Sequence, residues 1–312
     1  MAPPAMIDVA AEPETVTVEV NGITFTALRW SAAGPATGPL ALCLHGYPDT
    51  ARTWRHLGPF LAARGWRVVA PYARGYAPTG LAPDGCYQLG ALARDAVRLR
   101  ELLGGDERAA LIGHDWGAET APVAAASVPG GFRRVVSIAY APAFLLRQFS
   151  SLSGALADPP LLARQLLRNW YMYFQLLSGI SEASLSRLIP LLWSRWSPGY
   201  DAHEDLPEVL AALSPPGHAT AALRYYRALY FPWMRSREYA AEQDRLFAVP
   251  NTPLLYLHGD RDGCLLPALA EKAAAALPAG SEFELVRGAG HWLHLEHPEY
   301  VNQRIAGFID AP

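Results

Sequence analysis

Apolar and polar positions alternate at residues 15–20 (Thr-Val-Thr-Val-Glu-Val) and 23–27 (Ile-Thr-Phe-Thr-Ala), with Asn21-Gly22 between them. A period of two broken by Asn-Gly predicts a β-hairpin. Short, mostly apolar runs follow at residues 40–44, 67–70, 108–112, 134–139, 253–257 and 282–286. The run at 108–112 is of the kind expected for a strand buried on both faces, and the others read as further strands. Helical patterns occupy residues 88–103, 266–277 and 298–309, and a small, mostly helix-favouring stretch follows residue 117. Strands separated by helices imply an α/β fold with a mostly parallel central sheet flanked by helices.

The alternation stops for about a hundred residues. Residues 144–245 contain no comparable strand run and are helix-rich, with breaks expected at Pro159-Pro160, Pro198-Gly199 and Pro215-Pro216-Gly217. Fifteen of the chain's 33 aromatic residues (nine Trp, 14 Tyr, 10 Phe) fall between Phe144 and Tyr239, more than that segment's share of length. The organisation expected is a core in two parts, residues 1–143 and 246–312, with a helical cap at 144–245 over an apolar pocket. Most of these aromatics would pack the insertion's own core, and only a few need face the pocket.

At 312 residues, 51% of them hydrophobic and 18% charged, the chain can bury a sizeable core and carry an insertion. A net charge of −3 and no basic run argue against nucleic acid or an anionic membrane as partner, and favour a small, weakly charged ligand. The opening residues 1–10 lack a basic segment and an apolar one, and no segment has the apolar length of a membrane span, so a cytoplasmic protein is expected. Cys43, Cys86 and Cys264 are odd in number and form no CxxC pair, which points to buried thiols and to neither disulfide nor metal.

The chemistry centres on Gly113-His114-Asp115-Trp116-Gly117, which lies between a strand and a helix. Glycines two before and two after the central residue allow a sharp strand-to-helix turn that lifts the middle side chain out of the sheet. Alone, the pentapeptide reads equally as a plain turn capped by Asp115. Three further motifs weigh on the choice, each directly after a strand: His45-Gly46-Tyr47-Pro48, then His258-Gly259-Asp260-Arg261-Asp262, and Gly288-Ala-Gly-His291-Trp292.

Nucleophile, acid and histidine in this chain order resemble the α/β-hydrolase superfamily over nearly the whole length, and within it the soluble epoxide hydrolase branch, close to the haloalkane dehalogenases. The resemblance implies the α/β-hydrolase fold with an inserted helical cap, Asp115 as nucleophile, His291 as base and Asp262 as the acid that orients it. It implies an oxyanion hole from the amides of Tyr47 and Trp116, with His45, Pro48, Trp170 and Trp292 lining the substrate pocket. Asp260 competes with Asp262 for the acid role, and the Gly-x-x-Asp spacing favours Asp262. His294 and His297 do not follow the glycine turn and read as loop or helix-start residues. No cofactor or metal is implied, and a homodimer is one possible assembly.

An aspartate at the elbow redirects the chemistry. Carboxylate attack on an acyl group gives a labile anhydride, whereas displacement at saturated carbon gives an ordinary alkyl ester, so a leaving group on sp³ carbon is expected. An epoxide oxygen needs proton donors as it leaves. Tyr171, in Asn169-Trp-Tyr-Met172, and Tyr226, in Leu223-Arg-Tyr-Tyr-Arg227, match the paired cap tyrosines of epoxide hydrolases. A halide would need only N–H donors, and Trp116 and Trp170 keep a haloalkane dehalogenase open. The elbow helix, Trp116-Gly-Ala-Glu119, lacks the arginines that clamp a carboxylate-bearing haloacid. A non-catalytic receptor on the same fold is the third alternative. The expected partner is a small apolar epoxide, converted with water to a vicinal diol.

Overall fold

The computed structural model describes residues 12–31, 37–147 and 158–311. Residues 1–10, read above for a leader, and residues 148–157 of the insertion lie outside them. Eight strands form one sheet in the order β1-β2-β4-β3-β5-β6-β7-β8. They are β1 Glu14–Val20, β2 Ile23–Trp30, β3 Leu40–Leu44, β4 Arg67–Pro71, β5 Ala110–His114, β6 Arg134–Ile138, β7 Leu254–Gly259 and β8 Glu282–Val286. The β1–β2 and β2–β4 pairs are antiparallel, and every other pair is parallel.

The two kinds of apolar pattern separate as the physics requires. Val20 pairs with Ile23 across Asn21-Gly22, whose φ angles of 51° and 75° are the left-handed values that a tight hairpin turn demands. Every residue of β3, β5 and β7 is buried, which explains their unbroken apolar character. The edge strand β8 is only partly covered, and its Glu282-Phe-Glu-Leu alternation reflects that.

The flanking helices are α1 Leu57–Ala62, α2 Leu89–Leu102 and α3 Trp116–Ser127, with α4 Ala143–Leu146 after β6. Between β6 and β7 lies the insertion: α5 Pro159–Arg168, α6 Trp170–Phe174, α7 Ile180–Trp196, α8 Asp205–Leu213, α9 His218–Tyr230 and the short α10 Ala240–Gln243. The core resumes with α11 Pro267–Ala274, α12 Leu293–Glu296 and α13 Pro298–Ile309. Pro159 and Pro160 open α5 rather than merely break the chain; Asp158 caps the helix by accepting from the Leu161 N–H at 3.1 Å. Pro198-Gly199 and Pro215-Pro216-Gly217 fall in the gaps on either side of α8, as expected. No described helix is long and apolar enough to cross a membrane.

A buried ion pair ties the insertion to the sheet. Arg74 Nε and Nη2 donate to Asp95 Oδ2 and Oδ1 at 2.5 and 2.7 Å, and its Nη1 donates to the Cys86 carbonyl at 2.6 Å. The side-chain amide of Asn21, at the hairpin turn, donates to Asp95 Oδ1 at 2.7 Å, and the Tyr225 hydroxyl of α9 donates to the Arg74 carbonyl at 2.9 Å. Hairpin, core helix α2 and insertion helix α9 thus converge on one charge pair. Removing one partner strands the other charge in the interior, so Asp95→Ala should lose about 3–5 kcal/mol of unfolding free energy in urea. A loss under about 1 kcal/mol would show that the pair is replaceable by solvent.

Candidate active site

Asp115 sits at the join of β5 and α3 with φ 53° and ψ −116°, a positive-φ conformation that side chains other than glycine resist. Its neighbours make that possible by having no side chains. A Cβ on Gly113 would fall 2.0 Å from the Gly117 carbonyl oxygen, and one on Gly117 would fall 2.1 Å from that of Leu44. A Cβ on Gly46 would lie 2.4 Å from Asp115 Oδ1 and 2.7 Å from the Trp116 nitrogen, so the loop after β3 lies directly against the elbow. From that loop the Tyr47 N–H donates to Asp115 Oδ1 at 2.8 Å. The N-terminus of α3 adds its positive end of the helix dipole beneath the carboxylate.

His291 and Asp262 reach the same point from the loops after β8 and β7. The His291 Nδ1–H donates to Asp262 Oδ2 at 2.9 Å, while its Nε2 stands 3.7 Å from Asp115 Oδ2, within ion-pair range but beyond hydrogen-bond length. The other Asp262 oxygen accepts from the Cys264 and Leu265 N–H groups at 2.6 and 3.1 Å, which fixes the carboxylate plane. Asp260, the competing acid, instead accepts from the Gly288 N–H at 2.7 Å. Burial opposes a charge on His291, but Asp262 and Asp115 together outweigh it and hold the imidazole up to about 10.

Behind His291 lies a second polar group of residues. The His114 Nε2–H donates to the His291 carbonyl at 3.1 Å, and the Trp292 indole donates to Asp49 Oδ2 at 2.9 Å. His294 pairs with the Thr53 hydroxyl at 2.6 Å. Burial holds His114 and His294 well below the usual histidine range and lifts Asp49 to about 7. Asp49, His114 and His294 bring three potential metal-ligating atoms within 4.8 Å of one another. His114 bonds the His291 carbonyl and Asp49 bonds the Trp292 indole, so the group packs directly against the loop that carries His291.

A cavity of about 310 Å³ opens in front of Asp115. Asp115, Trp116, Tyr171 and Tyr226 all line it, joined by Met172 and Cys264 among others. Both phenols are buried; their ring centroids are 5.9 Å apart, and the Tyr171 hydroxyl is 3.5 Å from Cys264 Sγ. Tyr225 also lines the cavity, but its hydroxyl is committed to the Arg74 carbonyl, while Tyr173 is half exposed.

Four expected pocket residues do not line this cavity. His45 turns inward, its Nε2 accepting from the Ala73 N–H at 2.9 Å, and burial lowers it to about 4. Pro48 faces α7, where its carbonyl accepts from the Trp193 indole at 2.9 Å. Trp292 is completely buried in a stack on Trp193 at 3.7 Å, and Trp170 is 37% exposed on the insertion's surface. Strand-end position and aromatic character do not reveal which way a side chain turns. Glu119, Tyr140 and Gln165 line the cavity and were not anticipated. Glu119 was within reach of the sequence, because four residues after Asp115 is the same face of α3. Gln165 carried no signal.

The chain belongs to the α/β-hydrolase fold family, whose model matches residues 39–298. It is 30% identical to the AB hydrolase superfamily protein YfhM of Bacillus subtilis over 94% of this chain and 96% of that one. It is 28% identical to Epoxide hydrolase A of Mycobacterium tuberculosis, again over 94% and 96%. Among solved structures it is similar to Epoxide Hydrolase A from Mycobacterium thermoresistibile, with a TM-score of 0.74 at 26% identity over 96% of this chain and 98% of that one. An epoxide hydrolase from Vigna radiata superposes with a TM-score of 0.73 at 23% identity over 96% and 98%, a likeness of fold.

The strain at the elbow can be measured directly. Asp115→Gly and Asp115→Ala both remove the carboxylate, so their difference isolates the backbone, and the glycine variant should be more stable by about 1–2 kcal/mol. Equal urea midpoints would mean that the left-handed conformation costs nothing here.

Proposed function

We propose that the protein is an epoxide hydrolase that works through a covalent ester on Asp115, with residues 144–245 as the cap over the site. The observation that carries this reading is one cavity lined by Asp115 and two buried phenols, Tyr171 and Tyr226, with His291 Nε2 standing 3.7 Å from the Asp115 carboxylate. The epoxide hydrolase names of the relatives support it independently.

In the first step a carboxylate oxygen of Asp115 attacks an oxirane carbon, the ring C–O bond breaks, and the departing oxygen takes a proton from Tyr171 or Tyr226. Burial raises both phenols well above their ordinary range, so they begin protonated. Esterification removes the Asp115 charge that helps hold the proton on His291. That proton is released just as a tyrosinate is short of one. The neutral imidazole, still oriented by Asp262, then takes a proton from water as the hydroxide attacks the ester carbonyl. The Tyr47 and Trp116 amides stabilise the resulting oxyanion. Collapse sends the second alkoxide out with the proton from His291, and the new Asp115 carboxylic acid returns its own proton to the histidine. The sum is epoxide plus water giving a vicinal diol.

Ring opening needs Asp115 and the phenols, whereas ester hydrolysis needs His291, so removing the base should separate the halves. His291→Gln exposed to a terminal epoxide should gain the mass of the substrate on the peptide containing Asp115. Normal consumption of the epoxide with no adduct would sink the covalent scheme.

The phenols distinguish the epoxide from a halide, whose displacement would lean on the Trp116 indole. A lost donor against a developing oxyanion costs about 2.7–4 kcal/mol, roughly a hundred- to thousandfold in rate. Tyr171→Phe/Tyr226→Phe should therefore lose at least that factor in kcat/KM on a terminal epoxide, and each single variant less. Halide release from a matched 1-haloalkane by the wild type, with no diol from the epoxide, would favour the dehalogenase.

A further inference from the structure

Glu119 occupies the wall of the cavity one helical turn, about 5.4 Å, beyond the nucleophile. Its backbone N–H donates to the Asp115 carbonyl at 3.2 Å, which fixes the spacing. The residue is 5% exposed, one carboxyl oxygen accepts from the Ala143 N–H at 2.8 Å, and the other, Oε1, has no partner among the described residues. No described cation lies against it. Buried carboxyl oxygens are rarely left without a partner, because the desolvation cost is then uncompensated.

Four other polar side chains of the cavity wall are engaged elsewhere. Gln165 donates to Asn169 and to the Cys264 carbonyl, and Arg235 donates to the carbonyls of Ala228 and Leu229. Gln88 accepts from the Ser236 N–H, and Gln243 accepts from the Gly90 N–H. Glu119 keeps one carboxyl oxygen uncommitted among the described residues, and whatever fills the cavity is its available partner.

Burial lifts the Glu119 carboxyl to about 8, so it holds its proton at neutral pH. The Ala143 N–H already occupies Oε2, which leaves the proton on Oε1. The side chain therefore offers the cavity a neutral O–H donor.

We infer that Glu119 determines specificity: the cavity accepts an epoxide bearing an oxygen acceptor, such as an ether, carbonyl or hydroxyl oxygen, about one helical turn from the oxirane, and Glu119 donates a hydrogen bond to it. This rests on the epoxide reading above and narrows it from an apolar oxirane to an oxygen-substituted one. A plain alkyl epoxide fills the same space but leaves the Glu119 donor unsatisfied, which disfavours it.

The test compares 1,2-epoxyoctane with its ether isosteres, in which an oxygen replaces the methylene at chain position 4, 5 or 6. Wild type should prefer the best ether over the alkane by about tenfold or more in kcat/KM. Glu119→Gln keeps an N–H donor and should retain most of that preference, whereas Glu119→Leu should bring the ratio to about one. Equal turnover of alkane and ethers by wild type, or an undiminished ratio in Glu119→Leu, overturns the inference. Binding of the same compounds to Asp115→Ala, followed by tryptophan fluorescence, separates this inference from the reading beneath it. Tighter binding of an ether that depends on Glu119 supports the specificity role even if wild type hydrolyses no member of the series, an outcome that would sink the epoxide reading alone. No difference in binding between ether and alkane counts against Glu119.

Discussion

The backbone of Asp115 is held where an L-residue resists being held, and the geometry of the site depends on that one constraint. Left-handed strain of this kind costs on the order of 1–3 kcal/mol and persists only where the surroundings over-determine it. Here β5 is paired on both sides, with β3 and with β6, and the Asp115 N–H donates to the Ile138 carbonyl at 3.2 Å. Gly113, Gly117 and Gly46 admit three stretches of backbone at distances where a methyl group would collide. The carboxylate consequently leaves the sheet plane and meets the Tyr47 amide on one side and His291 on the other.

The insertion is bonded into the loops that carry Asp262 and His291. The Trp196 carbonyl, at the end of α7, accepts from the His291 N–H at 2.9 Å and from the Gly263 N–H at 3.0 Å. Arg168 of α5 donates to the Asp262 carbonyl at 2.7 Å, and Gln165 donates to that of Cys264 at 2.9 Å. A Cβ on Gly263 would fall 1.9 Å from the Arg195 carbonyl oxygen, so the contact closes only because that position is glycine. The same segment that supplies Tyr171 and Tyr226 to the cavity wall therefore helps set where His291 stands. Its packing and the position of the histidine are coupled.

Burial and charge divide the histidines. His45, His114 and His294 are desolvated and all three are pushed down; Asp49 stands 3.7 Å from His114, but burial lifts that carboxyl to about 7, so it supplies little compensating charge. His291 is as buried as they are but faces Asp262 at 2.9 Å and Asp115 at 3.7 Å, and it is pushed up. An imidazole whose charge depends on the Asp115 carboxylate is suited to the proposed two-step chemistry, since forming the ester removes part of what holds its proton.

Much of this was legible in the chain. The Asn-Gly hairpin, the six later strands and the breaks flanking α8 follow from periodicity and turn chemistry, because strand faces and left-handed turns restrict residue type locally. The spacing of glycines around Asp115, and the strand-end placement of Asp262 and His291, marked the candidate triad for the same reason. The sequence could not say which way a side chain turns once it leaves a strand end, nor which face of an insertion helix meets the core. His45, Pro48, Trp170 and Trp292 were expected at the cavity and do not line it, while Gln165 reaches it from a helix with no motif. The unpartnered oxygen of Glu119 is a property of surroundings drawn from distant segments. Local backbone preference is written residue by residue, whereas cavity membership, desolvation and the balance of two carboxylates against one histidine exist only after the chain has brought those segments together.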